Sequence, residues 1–311
     1  MPWMLNGVLV FNKPLDFTSH DVIAKLRGIL RMRKIGHAGT LDPMAEGVLV
    51  ILLGAATKAS DYLLTSKKTY RAGFRLGCLS DTLDVWGSVT ETGEAIPSAE
   101  EVKTAVMSFE GGYLQVPPMY SAIQKNGVRL YDLARQGIEV EREGRWVDIE
   151  DIRLLSFDGV RGEFEVTCSK GTFVRSLCHD IGQKLGCGAV MDSLVRLRSG
   201  DFDLSMGVGF DELTKLAEEG RVEEIIRPME DIFSFLPAIT LTEEGLKRTL
   251  NGAYVGKSMI TKGKIPNEDG VLCALYAPDG SLAVLAKSGR LSVSGQPALF
   301  YEKTFYTGER Q

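Results

Sequence analysis

The chain has 311 residues, 44% of them apolar and 25% charged, with a formal net charge of −5. That size and apolar content suffice for a large core plus a smaller domain and exclude a disordered or fibrous protein. The continuous apolar run over residues 48–53 is far too short for a membrane span, and the opening Met-Pro-Trp-Met-Leu-Asn-Gly lacks a basic stretch leading into an apolar one, so a cytoplasmic protein is expected.

The first predicted element is a short buried strand over residues 7–12. Thr18-Ser19-His20-Asp21 has the form of a capping box, opening a helix in which Val22, Ile23, Leu26, Ile29 and Leu30 share one arc at about 100° per residue. Lys25, Arg27 and Arg31 lie opposite and give a basic face. Gly36-His37-Ala38-Gly39-Thr40-Leu41-Asp42-Pro43-Met44-Ala45-Glu46-Gly47 then presents one carboxylate, Asp42, in a turn of small residues. Pro43 biases Asp42 away from helical conformation, and Gly36, Gly39 and Gly47 permit backbone geometries that other residues resist, so a large planar group can approach. The same stretch also suits a tight connection between two elements, and spacing alone leaves both readings open. His37, taken by itself, reads as a turn residue bonded to backbone. Residues 48–53 form a continuous apolar strand ended by Gly54.

Residues 69–77 alternate, with Tyr70, Ala72, Phe74 and Leu76 on an apolar face and Arg71 and Arg75 opposite. Tyr70 reads there as a core tyrosine with its hydroxyl at an edge. Residues 80–87 form a loop in which Asp81 suits a capping role, and Ser98 with Glu101 opens a helix over 98–109. Gln115-Val116-Pro117-Pro118-Met119-Tyr120-Ser121-Ala122 cannot be a central strand, because its prolines lack donors. It belongs to an extended excursion, roughly 112–137, in which Lys125, Arg129 and Arg135 interleave with Tyr120 and Tyr131. That pattern suits looped RNA, although a surface loop has a similar composition.

Residues 164–168 read as a strand, and Ser169-Lys170-Gly171-Thr172 turns the chain into a helix with Val174, Leu177, Ile181 and Leu185 on one arc. Arg175 falls off that arc, either exposed or aimed at a ligand or a carboxylate from another loop. Beyond an acidic region over 211–231, a short helix is predicted at 243–250. Strands at 271–276 and 282–286 flank Pro278-Asp279-Gly280, a hairpin signal. A small β-rich domain is therefore expected from about residue 236.

The negative net charge counts against a nucleic-acid partner, but the charge is segregated. Between Asp21 and Asp42 every charged residue is basic, and Lys67, Lys68, Arg71 and Arg75 form a second basic cluster. Each cluster also fits a solvated face. Five cysteines without a Cys-x-x-Cys argue against a disulfide framework or a zinc knuckle and read as buried or free thiols.

Gly36-His37-x-Gly39-x-Leu41-Asp42-Pro43-x-Ala45-x-Gly47 resembles the catalytic motif of the bacterial tRNA pseudouridine-55 synthases of the TruB type. Lys13-Pro14 with Thr18-Ser19 resembles the family's N-terminal motif, and Lys68-x-Tyr70 its tyrosine motif. Val116-Pro117-Pro118-x-Tyr120-Ser121-Ala122 resembles the inserted thumb, and Lys170-Gly171-Thr172-Phe173-Val174-Arg175 the arginine motif, with Leu194-Val195-Arg196-Leu197 following. The resemblance implies an α+β pseudouridine synthase fold over residues 1–235, a mixed, mainly antiparallel sheet flanked by helices with a thumb at about 112–137. It also implies a small β-rich PUA-like RNA-binding domain over 236–311. The implied activity is isomerisation of uridine to pseudouridine at position 55 in the T-loop of tRNA, by base flipping, with no cofactor, metal or guide RNA. The implied partner is the tRNA T-stem-loop, bound by a monomer.

On that resemblance Asp42 is the nucleophile and Arg175 its partner, Tyr70 stacks on the target base and helps remove the C5 proton, and Leu194 packs on the ring's other side. His37 resembles the residue that fills the space left by flipped bases, and Asp81 the acid that contacts a displaced nucleotide. Lys13, Arg129 and Tyr120, from the N-terminal and thumb motifs, complete the substrate-binding set. The family usually has Gly at Asp16, Tyr at Phe173 and Lys at Gln124. These departures are expected to alter a turn, remove a hydroxyl beside the site and weaken an RNA contact. The rival readings are a tRNA-binding or tRNA-folding protein in which catalysis is secondary, a metal-dependent hydrolase built on Asp42 and His37, and a guide-RNA-dependent relative, against which the lack of lysine-rich extensions counts.

Overall fold

The computed structural model describes residues 5–306; residues 1–4, part of the opening stretch read above against a leader segment, and residues 307–311 lie outside it. β1 (Gly7–Lys13) leads into α1 (Ser19–Ile29), which opens with the expected reciprocal cap: the Thr18 hydroxyl accepts from the Asp21 N–H, and the Asp21 carboxylate accepts from the Thr18 N–H. The helix stops before Arg31, which turns left-handed at φ 50° and so leaves the basic face that Lys25 and Arg27 keep. Contrary to the turn expected across residues 36–47, Gly36 and His37 belong to β2 (Ile35–Ala38), an antiparallel neighbour of β3 (Ala45–Leu53). The short segment α2 (Ser60–Leu64) precedes β4 (Lys68–Leu76).

A hairpin of β5 (Cys78–Ser80) and β6 (Val89–Glu91) is followed by α3 (Ala99–Met107), capped by Ser98 and Glu101 as expected. The excursion leaves from β7 (Tyr113–Gln115), carries the small hairpin β8 (Gln124–Lys125) and β9 (Val128–Arg129) and the helix α4 (Leu130–Arg135), and returns at β10 (Arg145–Val147), which pairs with β7. Then come β11 (Ile149–Phe157), β12 (Arg161–Cys168), α5 (Val174–Leu185), β13 (Ala189–Ser199), β14 (Phe202–Asp203) and α6 (Phe210–Glu218). The C-terminal part holds β15 (Ala238–Leu241), α7 (Glu243–Leu250), β16 (Ile260–Lys262), β17 (Leu272–Tyr276), β18 (Leu282–Arg290) and β19 (Pro297–Thr304).

The main sheet runs β1-β3-β13-β4-β12-β11, with β2 and β14 alongside, and among the described residues its one parallel pair of strands is β13 with β3. A second sheet runs β16-β15-β17-β18-β19. Along β3, Leu49, Ile51 and Leu53 point into a core shared with α1, α3, α5 and α6. Val48, Val50 and Leu52 point the other way, into a second core with Phe202, Phe233 and the C-terminal residues Ala274, Leu282, Leu285 and Phe305. Burial on both faces is why this strand reads as an unbroken apolar run. β4 sends one face into the helical core, Ala72, Phe74 and Leu76 with Tyr70 packed against them, which is why it alternates. A third core, including Ile239, Leu241 and Leu275, lies within the C-terminal part. All five cysteines are buried and free.

Candidate active site

β3 changes neighbours along one edge. β2 pairs with its C-terminal half, Ala38 opposite Val50, whereas Leu194, Val195 and Arg196 of β13 pair with Ala45, Glu46 and Gly47 at its start. Residues 39–44 are displaced from the sheet at that switch, and they carry Asp42. Gly47 is required there: at φ 96°, a Cβ would come within 2.3 Å of the Arg196 carbonyl oxygen.

The displaced loop is tied at every carbonyl from Gly39 to Pro43. Arg196, 1% exposed, donates to the carbonyls of Gly39 at 2.9 Å, Thr40 at 3.4 Å and Val48 at 2.7 Å. The Ser19 hydroxyl accepts from the Leu41 N–H at 2.9 Å and donates to the Leu41 carbonyl at 3.0 Å. The Ala45 N–H donates to the Asp42 carbonyl, and the Asp16 N–H to that of Pro43. Asp16, expected to alter a turn, adopts φ 62°, the left-handed region that glycine favours. The Lys13 ammonium donates to the carbonyls of Pro14, Phe17 and Pro43 at 2.8, 2.7 and 3.3 Å. Burial brings Lys13 down to about 8 despite the nearby carboxylates of Glu46, Asp42 and Asp16. The structure thus places Lys13 beneath the loop as a support, fully buried, and not on a substrate-facing surface.

Asp42 projects into a cavity of about 860 Å³ whose walls include Tyr70, Leu194, Tyr120, Phe173 and Arg175. Its Oδ2 accepts from Arg175 Nη2 at 3.0 Å. The guanidinium is 8% exposed and the Asp42 side chain 43%, so the carboxylate is held from behind and open in front. The exposed Arg175 reading is therefore corrected: its side chain is drawn inward because two loops offer it carboxylates. The second is Asp84, fully buried, with Oδ2 3.7 Å from Arg175 Nη1. Asp84 Oδ1 accepts from the Thr82 hydroxyl at 2.6 Å and the Trp86 N–H at 3.1 Å, and burial pushes the Asp84 carboxyl up against these bonds and the nearby guanidinium. Sequence reasoning took Asp81 from this loop and missed Asp84. Asp81 is exposed and caps the loop, accepting from the Ser88 N–H at 2.8 Å. A signal was available in Thr82-x-Asp84, but choosing between two acids three residues apart requires knowing which one the turn buries.

Tyr70 and Leu194 come from adjacent strands, and burial raises the Tyr70 phenol, with Arg196 opposing. Tyr120 and Tyr131 reach the cavity from the excursion, and Arg129, exposed on β9, bonds the Tyr131 hydroxyl at 2.9 Å without lining the cavity itself. His37 stands on β2, edge-on to His20 at 5.7 Å and outside the cavity lining, so the lone turn reading of this residue is corrected. Its imidazole is lowered by burial and then by His20 and Arg196. Lys68 does not share the basic surface with Lys67: it is buried, donates to the carbonyls of Leu63, Leu64 and Ser66, and is brought by burial to about 8. No three His, Cys, Asp or Glu side chains converge as a metal site among the described residues, and no helix there is long and apolar enough to cross a membrane.

Solved structures with this architecture define the class. The chain matches the structure titled "Crystal Structure of a Cbf5-Nop10-Gar1 Complex" with a TM-score of 0.75 at 29% identity, covering 97% of this chain and 86% of that one. It matches "Structure of H/ACA RNP bound to a substrate RNA containing 2'-deoxyuridine" at 0.74 and 27%, with 97% and 86% coverage. The mixed sheet with its flanking helices is that of the pseudouridine synthase fold. Residues 27–174 match the N-terminal domain of the TruB family pseudouridylate synthases, and residues 175–234 match the tRNA pseudouridylate synthase B C-terminal domain. Proteins named tRNA pseudouridine synthase B are 43% identical over 281 residues in Syntrophotalea carbinolica (90% of this chain, 91% of that one) and 41% over 302 residues in Bacillus subtilis (93% and 98%). The chain belongs to the TruB family of pseudouridylate synthases.

Proposed function

We propose that this enzyme converts uridine 55 in the T-loop of tRNA to pseudouridine, acting in the cytoplasm as a monomer, without a guide RNA. The N1–C1′ bond breaks, the base turns, C5 bonds to C1′, and one proton leaves C5 while N1 gains one, so the product is an isomer of the substrate. Asp42 is the nucleophile, and the observation that carries this role is its bond to the buried Arg175 at the floor of an open cavity. The guanidinium favours the ionised carboxylate and fixes which oxygen faces the substrate. Tyr70 and Leu194 are the two faces between which an everted base fits, with Tyr70 near the C5 proton. Tyr120 closes the cavity from the thumb, roughly 112–137, while Arg129, Asp81 and His37 contact RNA outside the pocket. Asp84 holds the far side of Arg175. Extracting a base from a folded loop costs on the order of a few kcal/mol, which phosphate contacts from the basic α1 face and the thumb offset. The unit from residue 236 is a PUA-like domain that strengthens tRNA binding and supplies no catalytic group.

Asp42→Asn tests the assignment with unmodified tRNA, mapping pseudouridine by position. The expected loss of rate is about 1,000-fold or more with tRNA binding retained. Undiminished turnover, or product at another position, would reject it.

A further inference from the structure

The root of the excursion is fastened to the helix that carries Arg175. Tyr113 and Gln115 lie on one face of β7, and Phe173, Ser176 and Asp180 lie along one stripe of α5 and its N-cap, at helical spacing. The two rows meet in a run of hydrogen bonds. Gln115 Oε1 accepts from the Phe173 N–H at 2.8 Å, and Gln115 Nε2 donates to the Phe173 carbonyl at 3.1 Å and to the Tyr113 hydroxyl at 2.6 Å. The Tyr113 hydroxyl donates to Asp180 Oδ2 at 2.8 Å, and the Ser176 hydroxyl donates to the Val116 carbonyl at 3.3 Å. Gln115 is 2% exposed, so its amide pairs with both the N–H and the carbonyl of one residue, Phe173, out of water.

Two features make this more than packing. Phe173 is the N-cap of α5, with no side-chain cap of its own, and stands two residues before the arginine that meets Asp42. Gln115 is also the last residue of β7 before the chain enters residues 116–144, which supply Tyr120, Ser121 and Tyr131 to the opposite wall of the cavity. One amide therefore joins the wall that meets the substrate to the peptide that aims the guanidinium.

We propose that Gln115 is a positioning residue for Arg175, setting its aim at Asp42 and linking that aim to the seating of the excursion on RNA. The inference rests on the reading of Asp42 and Arg175 above. The side chain touches no reacting atom and acts through the backbone of Phe173. Sub-ångström errors in such an aim are costly, because the pair must be in place before the base arrives.

The test is single-turnover pseudouridine formation on unmodified tRNA by the full chain in enzyme excess, with tRNA affinity and thermal midpoint measured alongside. Gln115→Met, similar in length but unable to pair with the peptide, is expected to slow the chemical step about 10- to 100-fold while affinity and midpoint change little. Gln115→Glu keeps an acceptor for the Phe173 N–H and loses the donor to its carbonyl, so its rate falls between; it also stands in if the methionine variant does not fold. Combined with Arg175→Lys, either Gln115 variant should cost much less than it does alone, because the aim it sets is already lost. Wild-type rates in both Gln115 variants, losses that track affinity, or losses that multiply fully with Arg175→Lys would each overturn the proposal. Arg175→Lys separates the two readings: a full rate there rejects the Asp42–Arg175 site itself, whereas a lost rate there with full rates in both Gln115 variants rejects only the role of Gln115.

Discussion

The two halves of the main sheet solve the problem of burial differently. β1 and β3 are covered on both faces, by helices on one and by the C-terminal sheet on the other; β4, β12 and β11 are covered by helices alone and leave their second face to water. On the open face charges pair across strands, as Arg153 does with Glu165 at 2.8 Å. Where the halves join, at β13, the structure instead buries charge: Arg196 lies under the Asp42 loop and Arg175 beside it. The seam between a doubly covered half and a singly covered one is where a strand can change neighbours and release a loop, and the carboxylate sits there.

The largest break in that contrast is removal of residues 236–311. It strips cover from Val8, Val10, Val50 and Leu52 and removes the bonds from Lys58 Nζ to the Thr304 carbonyl and from the Leu282 N–H to Glu230. The shortened protein is expected to lose about 5 kcal/mol or more and to aggregate, as read by soluble yield and denaturant midpoint. An unchanged midpoint would show that the second cover is dispensable. Arg175→Met acts at the seam, leaving Asp84 buried without its cation. Turnover should fall about 100-fold or more and stability by about 2 kcal/mol, measured by pseudouridine formation and denaturant unfolding.

The buried lysines provide a pH test. Lys13 ends β1 and Lys68 begins β4, and both titrate near 8 in the folded protein against 10.5 ordinarily. Between those values the unfolded chain holds more protons than the folded one, so this component of stability rises as pH increases from about 8 to 10.5. Relative to Lys68→Met, the wild type should gain on the order of 2 kcal/mol across that window by denaturant midpoint, and a gain of the opposite sign would contradict the burial argument. The smallest effect belongs to the open face. Arg153→Met should change stability by no more than about 0.5 kcal/mol and leave turnover unaltered in the same assays.

Much of this was legible in residues alone. The run at 48–53 and the alternation at 69–77 report two-sided and one-sided cover directly, and the caps at Thr18 and Ser98 mark helix starts that the structure keeps. β2 was not legible, because Ile-Gly-His-Ala has no period and its pairing, His37 opposite Ile51, depends on a strand more than ten residues away. The motif around Asp42 and Arg175 named both partners of the ion pair. It did not distinguish Asp81 from Asp84, and it did not show that Lys13 and Arg196 face the loop's underside, since exposure of a long cation is decided by which carbonyls the fold brings within its reach.

The five engaged carbonyls from Gly39 to Pro43 have one further consequence. A segment anchored by a guanidinium, an ammonium, a hydroxyl and two peptide N–H groups cannot swing to meet an incoming nucleotide without breaking several bonds at once. It is an anvil: one wall of the cavity around Asp42 is held in place by its own backbone bonds.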